Sequence, residues 1–292
     1  MKLFGHEIAV RMKGCCFNGE PEPRLVPAVV LYVRVTNACP CACPFCSNAG
    51  HAGEDVGFDL QKLLQVIREI KFSGVELSRV CVTGGEPSTA CERVLSLLEA
   101  LSGFEFRDIH LHLSTNGVSR QARTLMRHPR WTTVTMSLHH YDLAMLGEIY
   151  GLRAQIAPFD MKDVGEDRLS LSCSLIRGYV DSTGKVMRLL AFAETLGVGE
   201  VGFETLRPVN AFCREHFVCI DSLDVESCAH VHRLAARTSG NACHCRNYFF
   251  AGRESNLRFY LRELCDYSSS ESSLLYDGRF LHQGFGTKSV IY

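Results

Sequence analysis

The sequence has no long hydrophobic run. No stretch approaches the roughly 18 apolar residues of a membrane-spanning helix, so we expect no segment that crosses a bilayer. Residues 1–14 interleave charged side chains with short apolar pieces, and they contain no continuous apolar core of a secretory signal peptide. These absences predict a cytoplasmic protein without a membrane partner.

The sequence also lacks an excess of charge of either sign. Its 31 Lys and Arg residues balance 32 Asp and Glu residues, which gives a formal net charge of −1. A nucleic-acid or anionic-membrane partner normally requires a basic patch, so we expect neither. Internal repeats are absent as well, and the one biased run, residues 268–273, is typical of an exposed loop.

Cysteine, in contrast, is abundant. The chain has 15 cysteines among 292 residues. Four of them lie between residues 39 and 46, and six lie between residues 213 and 265. In a chain of this size without a leader, such clusters favour metal binding or catalysis over disulfide bonds.

Short β-rich runs alternate with helical patterns over residues 29–208. Each run is apolar or alternating and is followed by Gly, Asn, Pro or a polar cluster. The predicted strands are Val29–Val35, Ser78–Val82, Ile109–Ser114, Thr132–Leu138, Leu169–Ile176 and Glu200–Leu206. The clearest predicted helix runs from Asp59, its N-cap, to Phe72, and two more run over 88–103 and 186–196.

Six strand–helix units in series predict a parallel sheet, because each parallel return needs a crossover helix. Six units rather than eight leave a barrel open on one side. The predicted fold class is therefore α/β, a partial (β/α)6 TIM-like barrel with a short C-terminal cap. We assign residues 1–28 to an N-terminal extension, 29–208 to the barrel and 209–292 to the cap. Within the cap we expect one helix over about 222–237 and a terminal hairpin.

The first motif that carries chemistry is Cys39-Pro-Cys-Ala-Cys43-Pro-Phe-Cys46, with the spacing C-x3-C-x2-C. Three thiolates within eight residues can bind one face of a cubane cluster and leave its fourth iron without a protein ligand. Zinc sites favour paired C-x2-C knuckles, and two-cluster ferredoxins use C-x2-C-x2-C-x3-C. Neither spacing matches, so the motif favours a [4Fe–4S] cluster with one open iron.

A second motif, Thr83-Gly84-Gly85-Glu86-Pro87, ends the second predicted strand. Ligands of an α/β barrel bind at the carboxyl ends of its strands, where the cysteine motif also falls. Two glycines allow the backbone to approach a ligand closely, and Glu86 can accept a hydrogen bond from an ammonium group. By itself this turn is unremarkable. When it follows the C-x3-C-x2-C motif by one strand, the two motifs together are a much more specific sign of a ligand-binding site.

Together the two motifs resemble those of the radical S-adenosylmethionine (SAM) superfamily, over residues of about 29–208. The resemblance implies Cys39, Cys43 and Cys46 as ligands of a [4Fe–4S] cluster whose open iron binds SAM. It also implies a set of cofactor-binding positions at the ends of successive strands. These positions are Phe45, Gly84, Gly85, Glu86, Pro87, Thr115, Asn116, Ser137, Ser172 and Arg177.

The barrel is most similar to that of the cyclases that begin molybdenum cofactor synthesis. Those cyclases use arginines in strands one and two to bind a guanine nucleotide, and the matching positions here are Tyr32 and Cys81. Their tail ends in a Gly-Gly pair, whereas this chain ends in Ser289-Val-Ile-Tyr292. GTP is therefore not the expected substrate.

Relatives often carry further clusters in a C-terminal cap. A second iron–sulfur cluster here would use Cys243, Cys245 and Cys265 first, although His282 stands where the cyclase group usually has a ligand cysteine. We favour the alternative that these are unlinked cysteines, because free Cys behaves as a small buried hydrophobe.

Two further features lie near the expected site. Cys41 falls inside the cysteine motif but off the ligand spacing, and we interpret it as a small residue rather than a hydrogen donor. His139, His140 and Tyr141 follow the fourth predicted strand, where a solvent-facing histidine is commoner than a proton donor.

The resemblance implies a reaction. An electron from a flavodoxin- or ferredoxin-like donor reaches the cluster, and SAM is cleaved to methionine and a 5′-deoxyadenosyl radical that abstracts hydrogen from a substrate. We expect a small-molecule substrate in cofactor or natural-product biosynthesis, since no N-terminal peptide-recognition domain is evident. Two alternatives stay open. One is a peptide-modifying enzyme of the same superfamily. The other is a non-catalytic iron–sulfur or zinc-binding scaffold, which would have no use for a SAM-binding motif.

Overall fold

A parallel β-sheet with helices between its strands forms the body of the protein in the computed structural model. The structure describes most of the chain. The described residues are 2–8, 11–12, 27–48, 57–152, 156–159, 164–165, 167–234, 246–252, 256–263, 273–284 and 290–292. The candidate ligands Cys243, Cys245 and Cys265 lie outside these residues.

The described strands and helices follow the predicted order closely. The strands are β1 Lys2–Leu3, β2 His6–Glu7, β3 Arg11–Met12, β4 Pro27–Arg34, β5 Glu76–Thr83, β6 Leu111–Thr115, β7 Thr133–Ser137, β8 Leu169–Leu175, β9 Glu200–Thr205, β10 Val231–Arg233, β11 Arg246–Gly252, β12 Arg258–Glu263, β13 Ser273–Tyr276 and β14 Leu281–Gln283. The helices are α1 Leu60–Phe72, α2 Cys91–Ala100, α3 Arg120–Met126, α4 Leu143–Ile149, α5 Thr183–Thr195 and α6 Ala211–Glu215. None of these helices has the length and apolar character needed to cross a membrane.

The sheet order confirms the predicted parallel barrel. Strands β4 to β9 lie side by side in sequence order, and every neighbouring pair among them is parallel. No pairing among the described strands joins the two outer edges, β10 and β14, so the barrel is open. All six central strands therefore end at the same edge, where loops from each can line one cavity.

Among the described residues of 209–292, strands β10 to β14 join this same sheet. Strand β12 pairs in parallel with β9 at one edge, and β13 pairs in parallel with β4 at the other. The predicted terminal hairpin is confirmed, since β13 and β14 pair antiparallel with Leu275 opposite His282. The domain boundaries at residues 28 and 208 stay a prediction.

Two faces of opposite character run along the central strands. In β8, Leu169, Leu171 and Leu175 are buried, while Ser170, Ser172 and Ser174 alternate with them and are half-buried. Because Ser172 and Ser174 line the cavity at the end of the strand, the hydroxyl face is the barrel interior and the apolar face packs on the helices. Strand β8 therefore presents hydroxyl groups to the barrel interior at its open end.

Helix α1 shows how the sequence sets the helical layer. Asp59 accepts a hydrogen bond from the Lys62 backbone N–H (2.9 Å), which confirms it as the N-cap. The five buried residues of α1 follow the helical period and face the sheet: Leu63, Leu64, Val66, Ile67 and Ile70. Gly74 has a φ of 76° just after the helix, the left-handed conformation that glycine commonly adopts where a helix ends.

The predicted helix over 222–237 is wrong in its described part. Residues 220–222 form a single 3-10 turn, and residues 231–233 form β10, which pairs with β11. The buried side chains Leu223, Val225 and Val231 do not repeat with a helical period. A strand partner that lies later in the chain overrides the local pattern at this edge.

Gly202 in β9 offers a test of packing inside the barrel. A Cβ built on Gly202 would overlap the ring and hydroxyl of Tyr260, its neighbour on β12, which is 8% exposed. We expect Gly202→Ala to lower the free energy of unfolding by about 1–3 kcal/mol, because a buried ring cannot move aside freely. Urea unfolding followed by circular dichroism measures the change.

The control is Gly184→Ala in α5, where an added Cβ meets no atom within 4 Å. This variant should be no less stable than the wild type. Equal urea midpoints for Gly202→Ala and the wild type would show that Tyr260 does not restrict this position.

Candidate radical-chemistry site

A cavity of about 310 Å³ opens at the carboxyl ends of the central strands. Both sequence motifs contribute to its wall, together with residues at the ends of β6 to β9. The lining residues are Cys39, Cys41, Cys43, Phe45, Cys46, Ser47, Asn48, Thr83, Gly84, Gly85, Glu86, Ser114, Thr115, Asn116, Ser137, His139, Tyr150, Ser172, Ser174, Thr205, Leu206, Arg207 and Val209. The structure thus brings together residues from six different strand ends.

The cysteine loop, residues 39–46, is anchored by its backbone. The Ala42 N–H donates to the Tyr150 carbonyl (2.8 Å), and the Asn210 side-chain amide donates to the Pro44 carbonyl (2.8 Å). Neither contact uses a cysteine sulfur. The loop is therefore held in place from two sides while its thiols stay available in the cavity.

The thiols lie close to one another and to an amide. The Cys41 backbone N–H donates to the Cys39 sulfur (3.4 Å), and Asn116 Nδ2 lies 3.4 Å from the Cys41 sulfur. A hydrogen bond from the Cys41 thiol lowers the pKa of Cys39 to about 7. Of the three candidate cluster ligands, Cys39 is exposed, whereas Cys43 and Cys46 are half-buried. The thiolate is the form that binds metals, so this direction of shift favours Cys39 as a ligand.

This donor set fits an iron–sulfur cluster. Thiolates are the ligands that iron–sulfur clusters take, and Cys39, Cys43 and Cys46 all line the one cavity. Among the described residues, no three His, Cys, Asp or Glu side chains converge on a point that would hold a single metal ion. In a cubane each thiolate binds a different iron, so its ligands need not converge on one point.

Gly84 and Gly85 are required by a neighbouring backbone. A Cβ on Gly84 would overlap the Thr36 carbonyl oxygen, and one on Gly85 would overlap the Ala38 carbonyl oxygen. The Gly85 N–H donates to Thr36 O and the Glu86 N–H to Ala38 O, both at 2.8 Å. The glycines therefore let the loop after β5 lie directly against the loop after β4. The close approach of the backbone to a ligand, which the sequence predicted, is a separate role for the same glycines.

Glu86 is buried, with 1% of its surface exposed. Its carboxylate accepts hydrogen bonds from the Thr115 hydroxyl (2.7 Å), the Asn116 N–H (2.8 Å) and the Ser88 N–H (3.1 Å). Three of its roughly four acceptor positions are thus taken by the protein. Its main observed role is to fasten the end of β6 to the loop after β5.

The other predicted cofactor contacts divide into two groups. Phe45, Thr115, Asn116, Ser137 and Ser172 all line the cavity. Pro87 does not, since it is buried at the start of the 3-10 helix over 87–90. Arg177 also lies outside the lining: it is exposed and donates to the Phe217 carbonyl (3.3 Å). The role of each residue as a cofactor contact stays a prediction.

His139 is a site residue that the sequence indicated only by its position after β7. It is buried, it lines the cavity, and its ring meets the Phe45 ring edge-on with centroids 4.8 Å apart. Nδ1 accepts a hydrogen bond from the Ser174 N–H (3.0 Å), and burial lowers the pKa of His139 to about 4. A neutral imidazole whose Nδ1 accepts must carry its proton on Nε2, so His139 is a fixed hydrogen-bond donor at neutral pH.

Other features near the site escaped the sequence analysis. Tyr150 is fully buried beneath the loop and donates its hydroxyl to the Ser137 carbonyl (2.6 Å). Ser174, Thr205 and Arg207 line the far wall. The position of Tyr150 just after a helix gave no signal, because its partner is a backbone atom of a neighbouring strand.

Glu86→Gln tests the fastening role without any cofactor. An amide in place of the carboxylate keeps one acceptor oxygen and turns an NH2 group toward a donor, so at least one buried donor loses its partner. We expect the free energy of unfolding of the metal-free chain to fall by about 1–3 kcal/mol, measured by urea denaturation. Glu99→Gln, at an exposed position of α2, should change it by less than about 0.5 kcal/mol. If both variants unfold at the same urea concentration, the hydrogen bonds of Glu86 do not stabilise the loop.

Comparison with known sequences identifies a domain around this site. Residues 33–154 match the model of the radical SAM superfamily. A protein of Thermosynechococcus vestitus described as a probable dual-specificity RNA methyltransferase RlmN is 31% identical over 154 residues. The match covers 50% of this chain and 41% of that protein. This chain therefore spans less than half the length of that relative.

Solved structures show the same fold. A radical SAM methyltransferase from Sphaerobacter thermophilus matches with a TM-score of 0.53 at 18% identity, over 67% of this chain and 60% of that chain. SuiB of Streptococcus suis bound to the precursor peptide SuiA matches with a TM-score of 0.51 at 19% identity, over 65% of this chain and 42% of that chain. Residues 33–154 thus resemble the radical SAM superfamily in sequence, and the chain shares its fold with these structures.

Proposed function

We propose that this chain is a radical SAM enzyme that acts on a small molecule in cofactor or natural-product biosynthesis. The observation that carries the proposal is the meeting of two motifs in one cavity: the thiols of Cys39, Cys43 and Cys46 share its wall with Gly84–Glu86. When bound, the cluster and SAM supply reductive cleavage of a sulfonium to methionine and a 5′-deoxyadenosyl radical, which takes hydrogen from the substrate.

The chain itself would hold the cluster through Cys39, Cys43 and Cys46 and leave one iron for SAM. Because Cys39 is exposed, the cluster would lie near the surface, where a flavodoxin- or ferredoxin-like donor can approach it. His139 offers a fixed N–H donor within the cavity. Exclusion of water would fall to the buried rings beneath the loop, since Tyr150 is fully buried and contacts the His139 ring edge-on.

The substrate would enter at the wall formed by β8 and β9. Ser172, Ser174 and Thr205 present hydroxyls there, and Arg207 brings a cation. Hydroxyls both donate and accept, so this wall suits a polar ligand.

Methyl transfer to RNA is a second candidate. It rests on the 31% identity to a probable RNA methyltransferase over half of this chain. The balanced net charge of −1 gives it no electrostatic support. Modification of a peptide substrate by the same radical chemistry remains an alternative.

Reconstitution gives the direct test. The chain is loaded anaerobically with iron and sulfide, reduced with dithionite and mixed with SAM, and methionine and 5′-deoxyadenosine are quantified. We expect wild type to form both products and Cys43→Ser to form neither, because the cluster loses a ligand. Cys219→Ser, which changes an exposed cysteine outside the cavity, should retain them.

The same sample gives an iron count. About four irons per chain correspond to one cluster, and about eight would indicate a second one. Zinc without iron after reconstitution would overturn the proposal. If the cluster can be reduced but SAM is not cleaved with any of the substrate fractions, the chain would be a non-catalytic iron–sulfur scaffold.

Substrate class is decided by isotope transfer. The holoenzyme is incubated separately with a low-molecular-weight metabolite fraction, with RNA and with peptides, each prepared from cells grown in deuterated medium. We expect deuterium in 5′-deoxyadenosine with the small-molecule fraction. Methyl transfer from labelled SAM to RNA would instead establish the second candidate.

A further inference from the structure

A buried arginine ends β4, five residues before the cysteine motif. Arg34 pairs with Thr83 across the strands and is 6% exposed. Its Nη2 donates to Asn48 Oδ1 (3.1 Å), and Asn48 Nδ2 donates to the Gly84 carbonyl (2.9 Å). Two side chains thus connect the strand before the cysteine loop, the segment after that loop and the glycine motif.

Burial lowers the pKa of Arg34, while negative charge at Asp277 and at Cys46 raises it. The Asp277 carboxylate also has hydrogen-bond partners of its own. It accepts from His282 Nε2 (2.7 Å) and from two backbone N–H groups of its own turn (2.8 and 3.0 Å). These hydrogen bonds hold the pKa of Asp277 at about 2 even though burial alone would raise it.

The Arg34 guanidinium lies next to the cavity wall, because its hydrogen-bond partner Asn48 lines the cavity two residues after Cys46. Asn48, its hydrogen-bond partner, is neutral, and burial keeps bulk water and salt from screening the charge. A buried cation next to the cavity stabilises added negative charge on an iron–sulfur cluster held there. Net charge and hydrogen bonds around the thiolates are among the factors that set the potentials of such clusters.

We propose that Arg34 sets the reduction potential of the cluster on Cys39, Cys43 and Cys46, with Asn48 positioning its guanidinium and Asp277 opposing it. The inference rests on the proposed function, because it requires that cluster. The step concerned is the gain of one electron by the oxidised cluster from the reductant. The reduced cluster carries one more negative charge, and no bond or proton changes.

Potentiometric titration of the reconstituted chain, monitored by the electron paramagnetic resonance signal of the reduced cluster, tests the proposal. We expect Arg34→Gln to lower the midpoint potential. At the wild-type midpoint its ratio of reduced to oxidised cluster should fall about tenfold, which is 59 mV for a one-electron couple. Arg34→Lys, which keeps the charge, should stay closer to wild type than Arg34→Gln does.

Asp277→Asn provides the opposite change. Removing the negative charge beside Arg34 should raise the midpoint potential, while the new amide oxygen can still accept from His282. Asn48→Ala is the matched control: it removes the hydrogen bond and keeps the charge, so its midpoint should lie nearer wild type than that of Arg34→Gln.

The possible results distinguish failure of the Arg34 proposal from failure of the proposed function. A full iron content with an unchanged midpoint in Arg34→Gln overturns the role of Arg34 and leaves the proposed function intact. Equal shifts in Arg34→Gln and Arg34→Lys exclude charge as the cause and overturn it too. If Arg34→Gln does not fold, Asp277→Asn decides: a higher midpoint supports the proposal, and an unchanged or lower one contradicts it. Absence of any cluster in wild type is failure of the proposed function itself.

Discussion

The site depends on the direct contact between two backbone segments, 36–38 and 84–86. Their hydrogen bonds continue the pairing of β4 and β5 beyond the ends of the strands. Only glycine fits at positions 84 and 85, because carbonyl oxygens of the facing segment occupy the space of a Cβ. The cysteine loop begins at the end of one segment and Glu86 at the end of the other, so this contact fixes where thiols and carboxylate lie.

The residues at this contact also hold the neighbouring strands in position. Glu86 binds the end of β6 through Thr115 and Asn116, which directs the Asn116 amide at the thiol of Cys41. On the opposite side, the backbone of Tyr150 holds the cysteine loop at Ala42. The loop is thus a rigid element supported from both sides, as a site that must place thiols at fixed distances requires.

Much of this architecture could be predicted from the sequence. Strands β4 to β9 and helix α1 were predicted from apolar alternation, helical periodicity and caps, which are local properties of the chain. The two motifs were found by spacing, again a local property. The edge pairings of β12 and β13 were not predicted, since a short strand gives no local sign of its partner. The same holds for Arg34 and for the Ser174–His139 hydrogen bond, where contacts between distant segments decide the role of a residue.

The two edge strands also bear on how the protein is made. Ser273 lies beside Val30 in the finished sheet, so the first barrel strand leaves the ribosome long before its outer partner exists. Until then the segment of β4 that β13 later covers, and the outer side of β9, expose unpaired backbone. Such edges favour association between chains. Pairings so distant in sequence also form slowly. Synthesis of this protein should therefore depend on chaperones that shield the nascent sheet until its last strands arrive.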